Sequence, residues 1–131
     1  MTRPDTLAEV ARRANAGTQT FEFALSEFLD SFYMNPDARQ AMIDDDPGPL
    51  AEPRRHAALG AVGEHLARRW KLRIPPWTDD PSRFLKAPYF TTSLEGLKAM
   101  LLAQSPLAFR RRLIFTEAEP LRRARMPRDA A

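Results

Sequence analysis

Apolar residues recur along this chain at the three- and four-residue spacing of amphipathic helices, and prolines separate one helical segment from the next. The pattern is strongest from Thr20 to Met34, where Glu22, Glu27 and Asp30 lie opposite the apolar positions. The apolar face of this segment consists of Phe21, Ala24, Leu25, Phe28, Leu29, Phe32 and Tyr33. The spacing predicts a helix from Thr20 to Met34 with an aromatic core face.

The first helix is predicted by the residues at its two ends. Thr6 followed by Glu9 is a capping-box pattern, in which a hydroxyl and a carboxylate bind free amides at a helix start. Gly17 stands where a helix would end, because glycine readily adopts the left-handed conformation of a C-cap. We therefore expect a helix from Leu7 to Ala16.

A short third helix is predicted from Pro36 to about Ile43. Asn35 supplies an N-cap, and the missing amide of Pro36 is harmless at the first helical position. The aspartates at positions 44–46, followed by proline and glycine, break this helix. The three carboxylates are typical of a solvated turn, although oxygen ligands of this kind also bind divalent cations.

The longest helix is predicted between residues 51 and 72, with a length of about 30 Å at 1.5 Å per residue. Gly60 and Gly63 weaken a helix interior, so we expect them to permit close approach of another helix. The apolar stripe of this segment consists of Leu59, Val62, Leu66 and Trp70.

Proline-rich connectors follow. Prolines fix their own backbone and push the preceding residue out of the helical region, so residues 73–78 are predicted to be extended. Asp80 and Pro81 favour a single turn reaching Leu85, and residues 88–90 form a second extended piece. No segment predicts a β-strand.

Two more helices are predicted in the C-terminal third. Thr92 and Glu95 repeat the capping-box pattern. The helix that they open is predicted to be the central buried one, because it carries the apolar residues Leu94, Leu97, Met100, Leu101 and Leu102. Ser105, followed by proline, is expected to cap a short helix that reaches about Arg112.

These elements predict an all-α fold of six or seven short helices joined by Pro-rich extended connectors. A chain of 131 residues with 12 prolines and 5 glycines fits one compact helical domain over residues 1–131. Phe28 and Leu101 are expected in its core. Residues 117–131 are charged and broken by proline, so we expect a basic tail that frays.

Charge is divided unevenly along the chain. The net charge is +3, but residues 1–50 carry 4 basic and 9 acidic side chains, whereas residues 51–131 carry 16 basic and 8 acidic ones. Such polarity indicates either that the two halves dock on each other or that they present two differently charged surfaces to partners.

Several kinds of chemistry are excluded or disfavoured. With no cysteine there is no thiol nucleophile, disulfide or cysteine-based zinc site. His56 and His65 are nine residues apart, which does not match the spacing of a helical metal pair. No nucleophile motif or phosphate loop stands out. We expect a protein without enzymatic activity or a cofactor. It has neither a membrane-spanning run nor a signal peptide, which predicts a cytoplasmic location without membrane contact.

The candidate binding residues are arginines and aromatics. Arg110, Arg111 and Arg112 are the most concentrated charge, and clustered arginines bind phosphate or acidic proteins. Three successive helical residues cannot all point one way, so at least one is expected to pair with an internal carboxylate, and at least one is expected to reach solvent or an acidic neighbour from residues 1–50. Trp77 and Tyr89 lie on Pro-rich segments, where they are either interface anchors or lids on a small core.

The second half of the chain, over about residues 56–116, resembles a family of small uncharacterised bacterial proteins encoded beside nucleotidyltransferase-like partners. The resemblance departs from the family at Tyr89, where the family has tryptophan. The segments that carry it are Glu64-His65-Leu66-Ala67-Arg68-Arg69, Pro76-Trp77-Thr78, Pro88-Tyr89-Phe90, Leu94-Glu95-Gly96-Leu97-Lys98, and Ser105-Pro106-Leu107-Ala108-Phe109-Arg110-Arg111-Arg112 with Phe115.

The resemblance implies an antitoxin-like or accessory role, in which this chain binds a nucleotidyltransferase-like protein partner. The expected partner contacts are Trp77, Tyr89, Arg110, Arg111 and Arg112. The alternative is a nucleic-acid-binding protein that uses the Arg-rich C-terminal third. Its expected contacts are Arg122, Arg123 and Arg125.

Overall fold

Six α-helices and one small parallel sheet make up the computed structural model, which describes residues 1–128. Short 3-10 turns at Pro36–Ala38, Pro76–Asp79 and Pro81–Arg83 connect them. The mostly helical fold with proline-rich connectors is confirmed. The helices are α1 (Leu7–Ala16), α2 (Phe21–Met34), α3 (Arg39–Asp44), α4 (Pro53–Arg69), α5 (Glu95–Gln104) and α6 (Leu107–Arg110), and the strands are β1 (Tyr89–Phe90) and β2 (Ile114–Phe115).

The ends of α1 follow from local chemistry, and the predicted bounds are confirmed. The Thr6 hydroxyl accepts the Glu9 amide at 3.0 Å, and Gly17 closes the helix with a φ of 73°. The carboxylate of Glu9 does not complete a capping box. It binds Arg12 and Arg13 instead, at 2.6 and 2.9 Å.

The third helix differs from its prediction. Asn35 does not cap it, because its side-chain amide donates to the Ser31 carbonyl at 2.7 Å at the end of α2. The chain therefore makes a 3-10 turn over Pro36–Ala38 before α3 begins at Arg39.

The core lies between α1, α2 and the apolar stripe of α4, where Phe28 and Phe32 are fully buried. Their rings pack with centroids 5.9 Å apart. The burial of Phe28 and Leu101 is confirmed, but Leu101 is buried outside this main cluster.

Gly60 and Gly63 allow close packing on α4, as the sequence indicates, but the neighbours are not a helix. A Cβ on Gly63 would lie 2.9 Å from side-chain atoms of Thr78 and Trp77, which belong to a 3-10 turn. A Cβ on Gly60 would lie 3.0–3.1 Å from the side chains of Arg83 and Arg112. The two glycines therefore let a proline-rich turn and two arginines lie directly on the helix backbone.

The prediction that α5 is the central buried helix is wrong. Leu101 is its only buried residue, and the helix packs against β2 at the edge of the fold. Thr92 does not form the predicted capping box with Glu95, since its hydroxyl accepts the amide of Leu94 at 3.2 Å. An apolar pattern does not show whether a helix is buried. In this fold the aromatic face of α2 already fills the main core, so α5 lies outside it.

The C-terminal end of α5 also differs from expectation. Ser105 does not cap α6, because its hydroxyl donates to the Leu101 carbonyl at 2.6 Å and accepts the Thr116 amide at 2.8 Å. Ser105 thus ties the end of α5 to the chain that follows β2.

The prediction of no strand is wrong at two short sites. β1 and β2 pair in parallel, with Tyr89 opposite Ile114 and Phe90 opposite Phe115. The amide of Tyr89 donates to the Leu113 carbonyl at 2.8 Å. Prolines keep the segment before β1 extended, which leaves its amides free to pair.

The sequence predicts that the C-terminal tail frays. The described part of this tail, residues 117–128, packs on the helices. Leu121 is buried, and the Tyr33 hydroxyl donates to its carbonyl at 2.8 Å. Arg123 binds Asp30 of α2 at 2.9 Å. Burial of Leu121, the hydrogen bond to its carbonyl and the ion pairs of Glu119 with Arg69 and of Arg123 with Asp30 therefore hold this segment. Residues 129–131 lie outside the described part.

A matched pair of glycine substitutions tests the close packing on α4. Gly63→Ala should destabilise the protein by about 1–3 kcal/mol, because the new methyl group has no room beside Trp77 and Thr78. Gly96→Ala on α5 meets nothing within 4 Å and should stabilise by about 0.5–1 kcal/mol. Urea denaturation measures both, and equal effects of the two substitutions would contradict this packing.

Candidate functional site

The three successive arginines have three different environments. Arg112 is fully buried, and its guanidinium donates to Glu64 Oε1 at 2.7 Å, to the Thr78 carbonyl at 2.6 Å and to the Ala108 carbonyl at 2.7 Å. Every one of these acceptors belongs to the protein itself. Arg112 is therefore part of the scaffold, and the prediction that it contacts a partner is corrected.

Arg111 is partly exposed but also paired. It donates to Glu64 Oε2 at 2.7 Å and to Asp79 Oδ1 at 3.2 Å. Arg68 of α4 binds the same Glu64 oxygen at 2.7 Å. Arg111 and Arg112 thus pair with internal carboxylates, as expected from the sequence, and both carboxylates come from the second half of the chain rather than from residues 1–50.

Glu64 is the buried centre of this arginine network. Burial by itself raises the pKa of the Glu64 carboxyl, but hydrogen bonds from Arg112, Arg68 and Arg111 outweigh that cost and hold the pKa below its usual value. Glu64 is therefore ionised at neutral pH and acts as a fixed negative charge within the fold.

Arg110 is the member of the triplet that remains available to a partner. Its residue surface is exposed, and its guanidinium donates to the Ser105 carbonyl at 2.7 Å. No carboxylate pairs with it among the described residues. Within the triplet, one arginine is interior, one is shared between carboxylates and one faces solvent.

The two aromatic candidates are placed differently. Trp77 is 8% exposed, and its indole N–H donates to the Ile43 carbonyl at 2.9 Å, so it closes the core rather than presenting a contact surface. Tyr89 is half-buried on β1, and the guanidinium of Arg54 lies 4.2 Å from its ring centroid. Of the two aromatic residues, Tyr89 is the one that a partner can contact, so it remains a candidate interface residue.

The C-terminal arginines are also unequal. Arg123 binds Asp30 through two nitrogens, at 3.0 and 2.9 Å. The hydrogen bonds from Arg123 lower the pKa of the Asp30 carboxyl despite its burial. Arg122 and Arg125 are exposed. The candidate nucleic-acid residues are therefore one internal ion-pair partner and two exposed side chains.

Part of the charge asymmetry between the two halves of the chain is neutralised by ion pairs within the fold. Basic residues of the second half reach carboxylates of the first half, which supports docking of the two halves on each other. The pairs are Arg55 with Glu22, Arg73 with Asp44, Arg83 with Asp46, and Arg123 with Asp30, at 2.9, 3.6, 3.7 and 2.9 Å.

Sequence reasoning missed a histidine–serine contact. His56 Nε2 lies 2.8 Å from Ser82 Oγ, and that hydroxyl donates to Asp80 Oδ1 at 2.7 Å. The Leu50 amide donates to His56 Nδ1 at 3.2 Å, so the neutral ring carries its proton on Nε2 and donates to Ser82. A base that activates serine must accept the hydroxyl proton, so this polarity does not suit nucleophilic catalysis.

The other histidine, His65, packs edge-on against Phe109 with centroids 5.8 Å apart. The two histidines do not share a site. Within residues 1–128, no group of three histidine or carboxylate side chains is arranged to hold a metal ion.

A set of five large apolar side chains on or next to α5 and α6 is exposed, which the sequence pattern did not indicate. Between 39% and 61% of the surface of each of its members is open to solvent. We call this surface the α5–α6 face, and its residues are Leu94, Leu97, Met100, Leu102 and Leu107. The sequence pattern places Leu94, Leu97, Met100 and Leu102 on a buried helix, since apolar periodicity does not distinguish a core from an interface, and it gives no burial prediction for Leu107.

The comparisons leave this mostly α-helical protein without a family assignment. No family model, curated protein or solved structure matches the sequence. Among residues 1–128, no helix has the length and apolar character that a bilayer crossing requires.

The arginine triplet gives a direct test of scaffold against surface. Arg112→Ala should cost about 3–5 kcal/mol of unfolding free energy, because it removes a buried charge from Glu64 and leaves two carbonyls without their donor. Arg110→Ala is the matched control and should stay within about 0.5 kcal/mol of the parent protein. Thermal melts check both, and equal losses would show that the burial of Arg112 is misassigned.

The two histidines predict a stability that depends on pH. Burial lowers the pKa of His56, with help from the charge of Arg83, and burial also lowers the pKa of His65. The fold favours the neutral rings, so this stability is complete above the unfolded pKa of about 6.5 and is lost as pH falls below it.

Urea denaturation at pH 7.5 and 5.5 measures this effect. The parent protein should be less stable at the lower pH. The double variant His56→Asn/His65→Phe should show a weaker dependence, because Asn keeps an acceptor for the Leu50 amide and Phe keeps a ring against Phe109. An identical slope in parent and variant would contradict the assignment.

Proposed function

We propose that this protein is a protein-binding accessory module, antitoxin-like, whose partner covers the α5–α6 face. The observation that supports the proposal is that α5 is apolar around nearly its whole circumference yet lies at the edge of the fold. A helix that is hydrophobic on all sides is normally buried. Exposed apolar patches of this kind mark protein interaction sites.

The surroundings of the α5–α6 face define the chemistry of the partner. No charged residue occurs from Ala99 to Phe109, and Lys98 and Arg110 border this run. A complementary surface is therefore an apolar groove with acidic residues at its rim. A second copy of this chain would bring the same cations towards each other, which disfavours self-association through this face.

The resemblance of residues 56–116 to a family encoded beside nucleotidyltransferase-like proteins supports a partner of that class. Such a role would require no catalytic group in this chain. The proton arrangement at His56 and Ser82 is consistent with a non-enzymatic role, because the histidine donates to the hydroxyl.

Nucleic-acid binding is the weaker alternative. Arg111 and Arg112 are engaged by Glu64, and Arg123 is engaged by Asp30. Arginines already bound to carboxylates are poorly available to phosphates. The protein partner is therefore the better explanation of the second half of the chain.

Co-expression with the product of the adjacent gene tests the proposal. The partner should copurify with the parent protein. Leu102→Glu should reduce the amount recovered by about tenfold, because a charge would be buried against an apolar groove. Phe23→Glu is the matched control, since Phe23 is an equally exposed apolar residue on α2, and it should leave recovery unchanged.

Several results would overturn the proposal. The proposal fails if the neighbour is expressed but neither copurifies nor changes host growth, or if Leu102→Glu behaves like Phe23→Glu. A parent protein that is dimeric in light scattering and monomeric as Leu102→Glu would assign the face to a second copy. A shift of duplex DNA at about 50 mM salt that falls steeply with added salt would favour the nucleic-acid alternative.

A further inference from the structure

A groove runs along the outer edge of β1, on the side away from β2. One part has a volume of about 550 Å³ and is lined by residues 88–93 together with Arg54 and Lys98. A second part of about 670 Å³ adjoins it at Arg54 and Tyr89 and is lined by residues 84–88. We call this surface, formed by Arg54, residues 84–93 and Lys98, the β1 groove.

The backbone of β1 has one unpaired edge inside this groove. The amides of Tyr89 and Thr91 donate to carbonyls of Leu113 and Phe115, at 2.8 and 3.0 Å. Successive residues of a strand point their backbone groups to opposite edges, so the N–H and C=O of Phe90 face away from β2. Neither group has a hydrogen-bond partner within the described residues, which is the condition for adding another strand.

The side chains around this edge are aromatic and positively charged. The exposed guanidinium of Arg54 lies over the Tyr89 ring at 4.2 Å, and Lys98 Nζ lies 5.2 Å from the Phe90 ring centroid. Lys86 is exposed in the adjoining part. These three cations surround the free backbone edge of β1.

Local carboxylates neutralise the β1 groove only in part. Glu52 lines the adjoining part, but its carboxylate accepts the amides of Arg54 and Arg55 at 3.1 Å each and so caps α4. Glu95 binds Lys98 at 2.8 Å, yet its side chain is 84% exposed, so a ligand carboxylate can replace it at little cost. Arg54 has no ion pair among the described residues.

We infer that the β1 groove binds an extended acidic segment of a partner protein as an added β-strand. The segment would exchange backbone hydrogen bonds with Phe90, and its carboxylates would bind Arg54 and Lys98. This inference rests on the proposed function in that the segment belongs to a protein partner. A second copy of this chain would place the same three cations against each other.

Peptide binding to the full chain tests the inference. The probes are two fluorescein-labelled octapeptides, one alternating Glu and Val and the other alternating Lys and Val, titrated by fluorescence anisotropy. The acidic peptide should bind saturably and the basic one should not. Arg54→Glu should weaken binding of the acidic peptide about tenfold, whereas Arg12→Glu, at an exposed site on α1, should leave it unchanged.

A second pair of variants tests the backbone edge. Phe90→Pro removes the amide that faces the groove without removing a donor to β2, so it should abolish binding of the acidic peptide. Phe90→Leu keeps the amide and should bind within about twofold of the parent protein. Thermal melts establish that each variant is folded, and Arg54→Glu decides the matter if Phe90→Pro does not fold.

The outcomes separate this inference from the proposed function. Equal binding of both peptides, or an unchanged affinity in Arg54→Glu, overturns the inference. The inference is also overturned if the protein binds neither peptide but binds duplex DNA, and Arg54→Glu abolishes that DNA binding. If the partner copurifies but the acidic peptide fails to bind, the β1 groove alone is misassigned. If the peptide binds but no partner copurifies, the proposed function alone fails.

Discussion

The buried carboxylate of Glu64 is the constraint on which the second half of the molecule depends. It joins α4 to Arg112, which is 48 residues further along the chain, and the same guanidinium also holds the Thr78 carbonyl of the Trp77 turn. Both oxygens of the buried Glu64 carboxylate accept hydrogen bonds from arginines, and an arrangement that separated them would leave a buried charge without a partner. The positions of α6 and β2 follow from this contact.

Gly60 on α4 makes room for this network, because Arg112 lies directly on the helix there, beside Arg83. Side-chain atoms of Arg83 and Arg112 occupy the space that a Cβ on Gly60 would need. Glycine destabilises a helix interior, so the presence of two glycines in α4 identified them from the sequence as sites of close approach. Sequence reasoning could not identify the neighbours, since residues 83 and 112 are distant along the chain.

Local features of the fold were predictable and non-local ones were not. The bounds of α1 and α2 follow from caps such as Thr6 and Thr20, whose partners are three residues away. The partners of Arg111 and Arg112, like the contact between His56 and Ser82, bridge 26–48 residues and leave no periodic signal. For α5, the apolar residues were found correctly, but periodicity does not say whether a core or a partner covers them.

The two candidate surfaces meet at Lys98. Its backbone belongs to α5, and its ammonium group lies over the Phe90 ring of β1, so the helix and the strand edge are adjacent parts of one region. The α5–α6 face offers shape and apolar area, whereas the β1 groove offers backbone hydrogen bonds and positive charge. Carboxylates of the first half of the chain form ion pairs elsewhere in the fold, with Arg55, Arg73, Arg83 and Arg123. The region around Lys98 therefore keeps positive charge beside apolar surface, a combination that favours an acidic protein over a second copy of this chain.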